Sequence, residues 1–434
     1  MQIGQTGRFL LVLAACSLLA RSCNGLSSRS NNAVLPEAVS SAQSWNKDCV
    51  VVGGGPVGLA TALTLSRKPH GYRVTVLEQS GGTSSSTSVA NYNPSRSFLY
   101  NINSRGLSWF HQEHPFALEK LAERGLPPDS QGRSTILRVA ADPKVPVPQP
   151  ALLSMGGPLS ANATTMMSYW IQRHETVDLL AKACKVQNEE LLASSTGSGS
   201  ITVLEGKCVR TVTSDDEGSD LITVECEDGT SYTASLVVAA DGIESSVRKV
   251  LAGTTTAPSQ NNNNNNKIQP TSWLQSKARQ FRVRKWNSPS TGLRIKALQF
   301  PPNFSFTNTS GEVIQSIPGA LYSFAGVNTG PRDRLSIGML PLKQVAKGGT
   351  RPGNTIAPYD HAVWKQTTGT AVQAWFQHNY PRLPWSTWID AQEWERYAHA
   401  QPTEFPPCQY SPGSAVASPR HGQTGVVLVG DACT

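Results

Sequence analysis

Apolar positions along the chain switch between short strand-like runs and longer helical stripes. Cys49 to Val52 is an apolar run rich in β-branched residues, and three glycines end it. Val74 to Leu77 is a second such run, and a helical stripe starting near Pro56 lies between them. Asp48 to Glu78 therefore reads as strand, glycine turn, helix, strand. Leu107 to Arg124 has helical apolar spacing closed by Gly125, and Glu175 to Val186 predicts an amphipathic helix. Residues 126–160 are rich in Pro and Gly and predict irregular structure. Ile201 to Leu204, Cys208 to Thr213 and Leu221 to Cys226 predict strands. Asp228-Gly229 marks a hairpin turn into a further strand, Ser231 to Ala239. Phe281 to Trp286, Leu293 to Phe300, Ala320 to Val327 and Arg334 to Leu342 alternate as an antiparallel sheet would. Asp360 to His378 and Ser386 to Ala398 predict helices, and Gly425 to Val429 a last buried strand.

A chain of 434 residues suits two closely joined domains. The net charge of +8 is scattered, with no basic stripe interleaved with aromatics, which argues against nucleic acid and leaves small anions as partners. The 8 cysteines include no C-x-x-C, and no metal spacing accompanies them, so free thiols are expected and no metal site. Residues 1–25 read as a signal peptide, with basic Arg8, the apolar run Phe9 to Ala20, and small residues Cys23 and Gly25 before the cut. That run is too short to span a bilayer. Membrane association is compatible with the sequence but not required. Residues 26–46, rich in Ser and Asn and without an acid before Glu37, read as a transit-like or disordered leader, which admits a plastid address through the secretory route. The run Asn261 to Asn266 makes 253–270 a disordered insertion. Asn162, Asn303 and Asn308 head N-x-S/T sequons, which matter only in the secretory lumen.

Chemistry enters at the first turn. Gly53, Gly55 and Gly58 hold the G-x-G-x-x-G spacing, with a strand before and a helix after. The first glycine allows the tight turn, the second lets a pyrophosphate approach the backbone, and the third lets helix and strand pack closely. The helix beginning at Pro56 and Val57 would aim its free amides and positive dipole end at the phosphates. Glu78, at the end of the second strand, could accept from ribose hydroxyls. Two further apolar strands run into acids, at Asp241-Gly242 within DGIESSVR and at Gly430-Asp431.

Glycine turn, DGIESSVR and Gly430-Asp431, in that order, resemble the FAD-dependent monooxygenases of the para-hydroxybenzoate hydroxylase fold. RSFLYNINSRG, YWIQRHETVDLL and CQYSPGSAV before GVVLVGDA are similar to segments of kynurenine 3-monooxygenase-like proteins. The resemblance covers most of the chain after Asp48. It implies an α/β fold in which a Rossmann-like FAD-binding domain, βαβ with a mostly parallel sheet, is interleaved with a smaller α+β substrate domain with an antiparallel sheet. The FAD domain would comprise 47–150, 173–252 and 420–434, and the substrate domain 151–172 and 271–400. Arg173 would lie along the flavin's pyrophosphate and ribityl side, Asp431 would bind ribityl hydroxyls, and Arg105 would neighbour flavin or substrate.

The activity implied is hydroxylation of a small aromatic substrate with O2 through a flavin C4a-hydroperoxide. NADH or NADPH would serve as transient co-substrate, since no second G-x-G-x-x-G is present. An isoprenoid epoxidase or quinone-pathway hydroxylase of the same fold is an alternative, as is an inactive FAD-binding remnant. Asn101 and Asn103 depart from the kynurenine pattern, and only Arg138 offers a match for its substrate arginine. The family's last motif continues into a His, a Pro and a Gly-rich helix start. Here Cys433 and Thr434 follow instead, so a C-terminally truncated chain is expected.

Overall fold

The computed structural model describes residues 47–80, 99–127, 129, 133–154, 168–194, 199–214, 221–252, 281–327, 335–341, 343, 350–416 and 424–433. The signal peptide, the leader, Asn162 and the Asn-rich insertion lie outside these residues. The described chain forms two compact units. One comprises residues within Met1–Ser85, Val177–Lys285 and Gln409–Thr434, the other residues within Ser86–Thr176 and Trp286–Cys408. The second unit therefore takes residues 99–150, which the sequence places in the first. The reason is strand pairing, described below.

In chain order the elements are β1 (Asp48–Val52), α1 (Pro56–Ser66), β2 (Arg73–Glu78), β3 (Leu99–Ile102), α2 (Ser104–Glu113) and α3 (Pro115–Arg124). Next come β4 (Arg133–Ala140), β5 (Ala151–Ser154), β6 (Tyr169–Gln172), α4 (Arg173–Ala193), β7 (Ser200–Glu205), β8 (Val209–Thr213), β9 (Ile222–Cys226), β10 (Ser231–Ala234), β11 (Leu236–Ala239) and α5 (Ser246–Leu251). Then follow β12 (Arg284–Trp286), β13 (Leu293–Phe300), β14 (Ser305–Thr307), β15 (Val313–Gln315), β16 (Leu321–Ala325), β17 (Ser336–Met339) and β18 (Arg351–Pro358). The last are α6 (Gly369–Asn379), α7 (Trp385–Trp388), α8 (Ala391–His399), β19 (Thr403–Glu404), β20 (Cys408–Tyr410), β21 (Ser414–Val416) and β22 (Gly425–Leu428).

The first unit is built on a sheet ordered β21-β22-β11-β1-β2-β7. Its strands run parallel except β21, which pairs antiparallel with β22. Its central strands are apolar because both faces are covered. Val51, Val76 and Val237 are fully buried. α4 packs on α1, where Gln187 donates through Nε2 to the Leu63 carbonyl at 2.8 Å and to Ser66 Oγ at 2.6 Å. Cys49 and Cys184 are free thiols in this interior. Burial pushes the Cys184 thiol up to about 12 and the Cys49 thiol higher still, so neither serves as a nucleophile at neutral pH. The single strand expected over Ser231 to Ala239 divides at Ser235. β10 joins an antiparallel ribbon with β9 and β8, while β11 enters the parallel sheet.

The second unit centres on a sheet ordered β19-β13-β18-β17-β16-β4-β5. It is mostly antiparallel, with one parallel pair, β16 and β4. β4 corrects the irregular reading of 126–160. Its inward residues Leu137 and Val139 join the core of the second unit, which draws this segment out of the first. That core lies between one sheet face and α6, α7 and α8, and aromatic side chains such as Phe300, Phe324, Phe376, Trp385 and Trp394 dominate it. The one helix expected over Leu107 to Arg124 breaks at His114-Pro115, where proline starts α3. Asp390 caps α8 by accepting from Glu393 N at 2.7 Å, which divides the expected helix over Ser386 to Ala398. Arg351, fully buried, donates to the carbonyls of Ile317, Ala320 and Leu340, and its guanidinium lies 5.0 Å from the Tyr322 ring centroid.

Lys296 is also buried, donating through Nζ to the Tyr397 carbonyl at 2.8 Å and the Ala398 carbonyl at 3.3 Å, at the end of α8. Burial, with a smaller push from Arg396, lowers its pKa from 10.5 to about 8. Between those values the unfolded chain binds the extra proton, so this group's contribution to stability rises with pH across the window from about 8 to 10.5. The unfolding temperature of the native chain relative to Lys296→Met should accordingly climb as the buffer moves from pH 7.5 to pH ~10. A difference that stays flat would rule out the depressed lysine.

Candidate functional site

Four neighbouring parallel strands of the first unit end side by side. β1 runs into the Gly53 turn, β2 into Glu78, β11 into Asp241 and β22 into the 3-10 turn Gly430–Ala432. The chain leaves β1 toward β2 on one side and returns as β11 on the other, and ligands of open α/β sheets gather at such a point. Backbone bonds brace the strand ends together. Gly53 N donates to Leu77 O at 2.8 Å, Ala240 N to Val52 O at 2.8 Å and Val429 N to Ala239 O at 2.9 Å.

The glycines divide by what a side chain would meet. Gly53 has φ of 103°, and a Cβ there would lie 2.6 Å from Ala240 O. A Cβ on Gly58 would lie 1.9 Å from Gly53 O. These two permit the close approach of turn, helix and the strand beyond. At Gly55 a Cβ would meet nothing within 4 Å, and the same holds at Gly242. Both border open space at the strand ends. Pro56 stands at the start of α1 with Gly55 as its cap, and no side chain caps that end. The first-turn amides of Val57 and Gly58 have no intrahelical acceptor.

Glu78 has a structural task besides. Its Oε2 accepts from Gly54 N at 2.7 Å and its Oε1 from Ser80 N at 2.9 Å. Gly54, which the G-x-G-x-x-G reading passes over, must be small because a Cβ would come within 2.9 Å of Glu78 Cβ. The three successive glycines were the only signal for it.

Asp241 caps α5, with Oδ2 accepting from Ser246 N at 2.8 Å and Val247 N at 3.4 Å. Its Oδ1 is buried and has no hydrogen-bond partner. An orphaned carboxylate oxygen beside the open space at Gly242 marks room for a donor that the described chain does not supply. Asp431, at the mouth of the same cluster, is exposed on one side and crowded by protein on the other. That crowding raises its carboxyl pKa above the ordinary range, while the nearby Arg248 pulls it back down.

Arg248 holds these loops together. It is 6% exposed. Nη1 donates to Ala432 O at 2.7 Å and Asp431 O at 3.2 Å, and Nη2 donates to Ile243 O. Ser245 Oγ accepts from its backbone N at 3.0 Å. From sequence Arg248 reads only as a helix-terminus charge. A buried guanidinium bridging two loops 183 residues apart has no local signature.

Arg173 and Arg105 both belong to the second unit. β3 and β6 pair antiparallel, Leu99 with Gln172 and Ile102 with Tyr169. Arg173, half-buried at the start of α4, follows one end of the pair, and exposed Arg105 in the first turn of α2 follows the other. Asn103 caps α2 by accepting from Arg105 N at 3.2 Å. Among the described residues no group of three or more His, Cys, Asp or Glu could hold a metal ion, and no helix is long and apolar enough to cross a membrane.

A family model described as FAD dependent oxidoreductase matches residues 48–147. Among characterised proteins, the chain is 29% identical over 205 residues to rifampicin monooxygenase of Streptomyces venezuelae, a match spanning 47% of this chain and 33% of that protein. Among solved structures, the tetrameric form of 2-methyl-3-hydroxypyridine-5-carboxylic acid oxygenase (MHPCO) superposes with a TM-score of 0.50 at 16% identity, covering 89% of this chain and 76% of that one. A second crystal structure of MHPCO gives 0.51 at the same identity and coverage. At that identity the likeness is one of fold, and it agrees with the expected α/β architecture of one parallel sheet and one mostly antiparallel sheet.

Proposed function

We propose that the chain binds FAD at the ends of β1, β2, β11 and β22 and serves an FAD-dependent monooxygenase that uses NADH or NADPH and O2 on a small aromatic substrate. The observation that carries this reading is the convergence of the Gly53–Gly58 turn, the Asp241-Gly242 loop and the Gly430-Asp431 turn on one edge of one sheet. The open space at Gly55 and Gly242 and the orphaned Asp241 Oδ1 fit a ligand that is both anionic and rich in hydroxyls. The amides of Val57 and Gly58 would face the pyrophosphate. Glu78 would accept from the adenosine ribose, and Asp431 from the ribityl chain. Bound there, FAD would supply the two-electron and oxygen chemistry that no protein side chain carries.

The matched family model supports FAD as the cofactor, and the likeness to rifampicin monooxygenase supports the oxygenase class. RSFLYNINSRG and YWIQRHETVDLL support a kynurenine 3-monooxygenase-like member, and their strands pair as β3 and β6. On this reading Arg173 belongs to the flavin site and Arg105 to the substrate's surroundings. The signal-like leader supports entry into the secretory pathway.

Titrating the full chain with FAD while following flavin fluorescence tests the reading. Saturable quenching at one flavin per chain, with retention of yellow colour through gel filtration, is the expected result. A folded chain that leaves flavin fluorescence unchanged would refute it. NAD(P)H oxidation by the loaded protein then separates an oxygenase from a binding remnant.

A further inference from the structure

In the second unit β14 and β15 form a two-stranded hairpin. Ser305 pairs with Gln315, Phe306 with Ile314 and Thr307 with Val313. Phe304 and Phe306 are buried in the aromatic core, and Ile314 packs against it. Side chains alternate along a strand, so Ser305, Thr307, Val313 and Gln315 face the other way, toward solvent. Beyond the last pair, Ser316 N donates to Phe304 O at 2.8 Å, and Phe304 N donates to Ser316 Oγ at 2.9 Å. The next step along both strands sets Asn303 across from Ile317, on the face that carries Ser305.

Asn303-Phe304-Ser305 is therefore an N-x-S sequon whose asparagine and serine share the outward face. Asn303 is exposed, and its carboxamide makes no hydrogen bond among the described residues. The hairpin's other sequon, Asn308-Thr309-Ser310, lies in its turn and differs. Asn308 is half-buried, and its Oδ1 accepts from Thr309 N at 2.8 Å and from Val147 N at 3.2 Å. That carboxamide is pinned between its own turn and a distant segment, and a sugar on Nδ2 would begin beside the Val147 backbone. A separate feature marks the Asn303 face. Ile317 and Val313 both lie on it, 45% and 56% exposed. Large apolar groups gathered on one outward face mark a surface that something covers. A glycan rooted at Asn303 starts directly across from Ile317. Sugar rings carry C–H faces as well as hydroxyls, so one group can both shade the isoleucine and meet water.

From this geometry we infer that Asn303 is an N-glycosylation site and that its glycan covers the outward face of the hairpin. The donor is an oligosaccharide carried on a lipid diphosphate. A C–N bond forms between Asn303 Nδ2 and the anomeric carbon of the first sugar. The bond from that carbon to the diphosphate oxygen breaks, the lipid diphosphate leaves with the electron pair, and Nδ2 gives up one proton. Glycans of this kind are bulky, solubilising and confined to the surface, which Asn303 satisfies and Asn308 does not. The inference rests on entry into the secretory pathway and is independent of flavin binding.

The test expresses the full chain in eukaryotic cells, once with its own leader and once behind a heterologous signal peptide. Lumenal protein is treated with N-glycosidase in heavy-oxygen water, which converts each glycosylated Asn to labelled Asp, and its peptides are mapped by mass spectrometry. Label at Asn303 and none at Asn308 is the expected result. Asn303→Gln and Ser305→Ala should each lose the glycan, whereas Ser305→Thr should keep it. A loss caused by misfolding would not be restored by threonine. Asn303→Gln protein should also bind more of a hydrophobic dye than the glycosylated chain, and adding Ile317→Ser should remove the excess. Folded lumenal protein with unlabelled Asn303, label at Asn308 in its place, or equal dye binding with and without the glycan would overturn the inference. Label at Asn303 in a chain that reaches the lumen only behind the heterologous signal would keep this site and remove the secretory reading alone.

Discussion

Gly58→Ala should deprive the chain of its folded first unit, whereas Gly55→Ala, three residues earlier, should fold normally and fail to hold FAD. At Gly58 the added Cβ would stand 1.9 Å from Gly53 O and 3.3 Å from Val51 Cγ1. The obstacle at Gly53 is backbone, so no rotamer change relieves it. Either α1 lifts from the sheet or the turn opens, and each breaks the packing of Leu59 and Leu63, which are 2% and 0% exposed. The cost should exceed ~4 kcal/mol, the range reached when a core packing contact or an obligatory backbone conformation is destroyed. At Gly55 the same Cβ meets nothing of the protein, so stability should change by less than ~1 kcal/mol. The methyl group would instead occupy space at the mouth of α1, where a pyrophosphate would approach. Thermal unfolding and FAD titration of the two variants separate the outcomes. Equal flavin affinity in native and Gly55→Ala protein would mean that the turn is structural only.

Removing the guanidinium of Arg248 should have the next largest effect. In Arg248→Met the carbonyls of Ile243, Asp431 and Ala432 lose their donor where water reaches them poorly. Acceptors left unsatisfied in this way cost about 1–3 kcal/mol each, so a total near ~3 kcal/mol is expected after local relaxation. Methionine retains most of the buried volume, which makes the loss polar rather than a cavity effect. Arg248 also lowers the pKa of the Asp431 carboxyl, so that pKa should rise further in the variant. FAD affinity should then weaken more toward acid pH than in native protein. A variant with native unfolding temperature and native flavin affinity across pH 5–8 would show that the staple is dispensable.

The strand–turn–helix–strand unit was legible because every constraint on it acts within Asp48 to Glu78. Gly53 N meets Leu77 O, Gly58 abuts Gly53, and β1 pairs with β2 in direct succession. The acids ending β11 and β22 were legible for a similar reason, since an apolar run stopped by Asp241-Gly242 or Gly430-Asp431 carries its own boundary. Most helix breaks also had local causes, and the reading missed them by following apolar period past Pro115 and Asp390.

The rest depended on partners distant in sequence. Whether RSTILRVA is loop or strand turns on whether β16 lies beside it, and β16 lies almost two hundred residues away in the chain. Ser231 to Ala239 is apolar enough for one strand, yet the two halves find different neighbours and enter different sheets. Arg248 becomes a staple only once Asp431 and Ala432 have folded next to α5. Ala297, Asn354, Gly338, Ser323 and Arg138 share one sheet face only through the register of four strand pairs, and a slip of one residue would turn their side chains into the core. Sequence by itself thus determined the turn, the strand ends and their chemistry, because sterics and backbone conformation act between near neighbours. Tertiary structure alone decided which unit each segment joins, which buried polar groups are satisfied and which are left open, because those depend on pairing across the sheets.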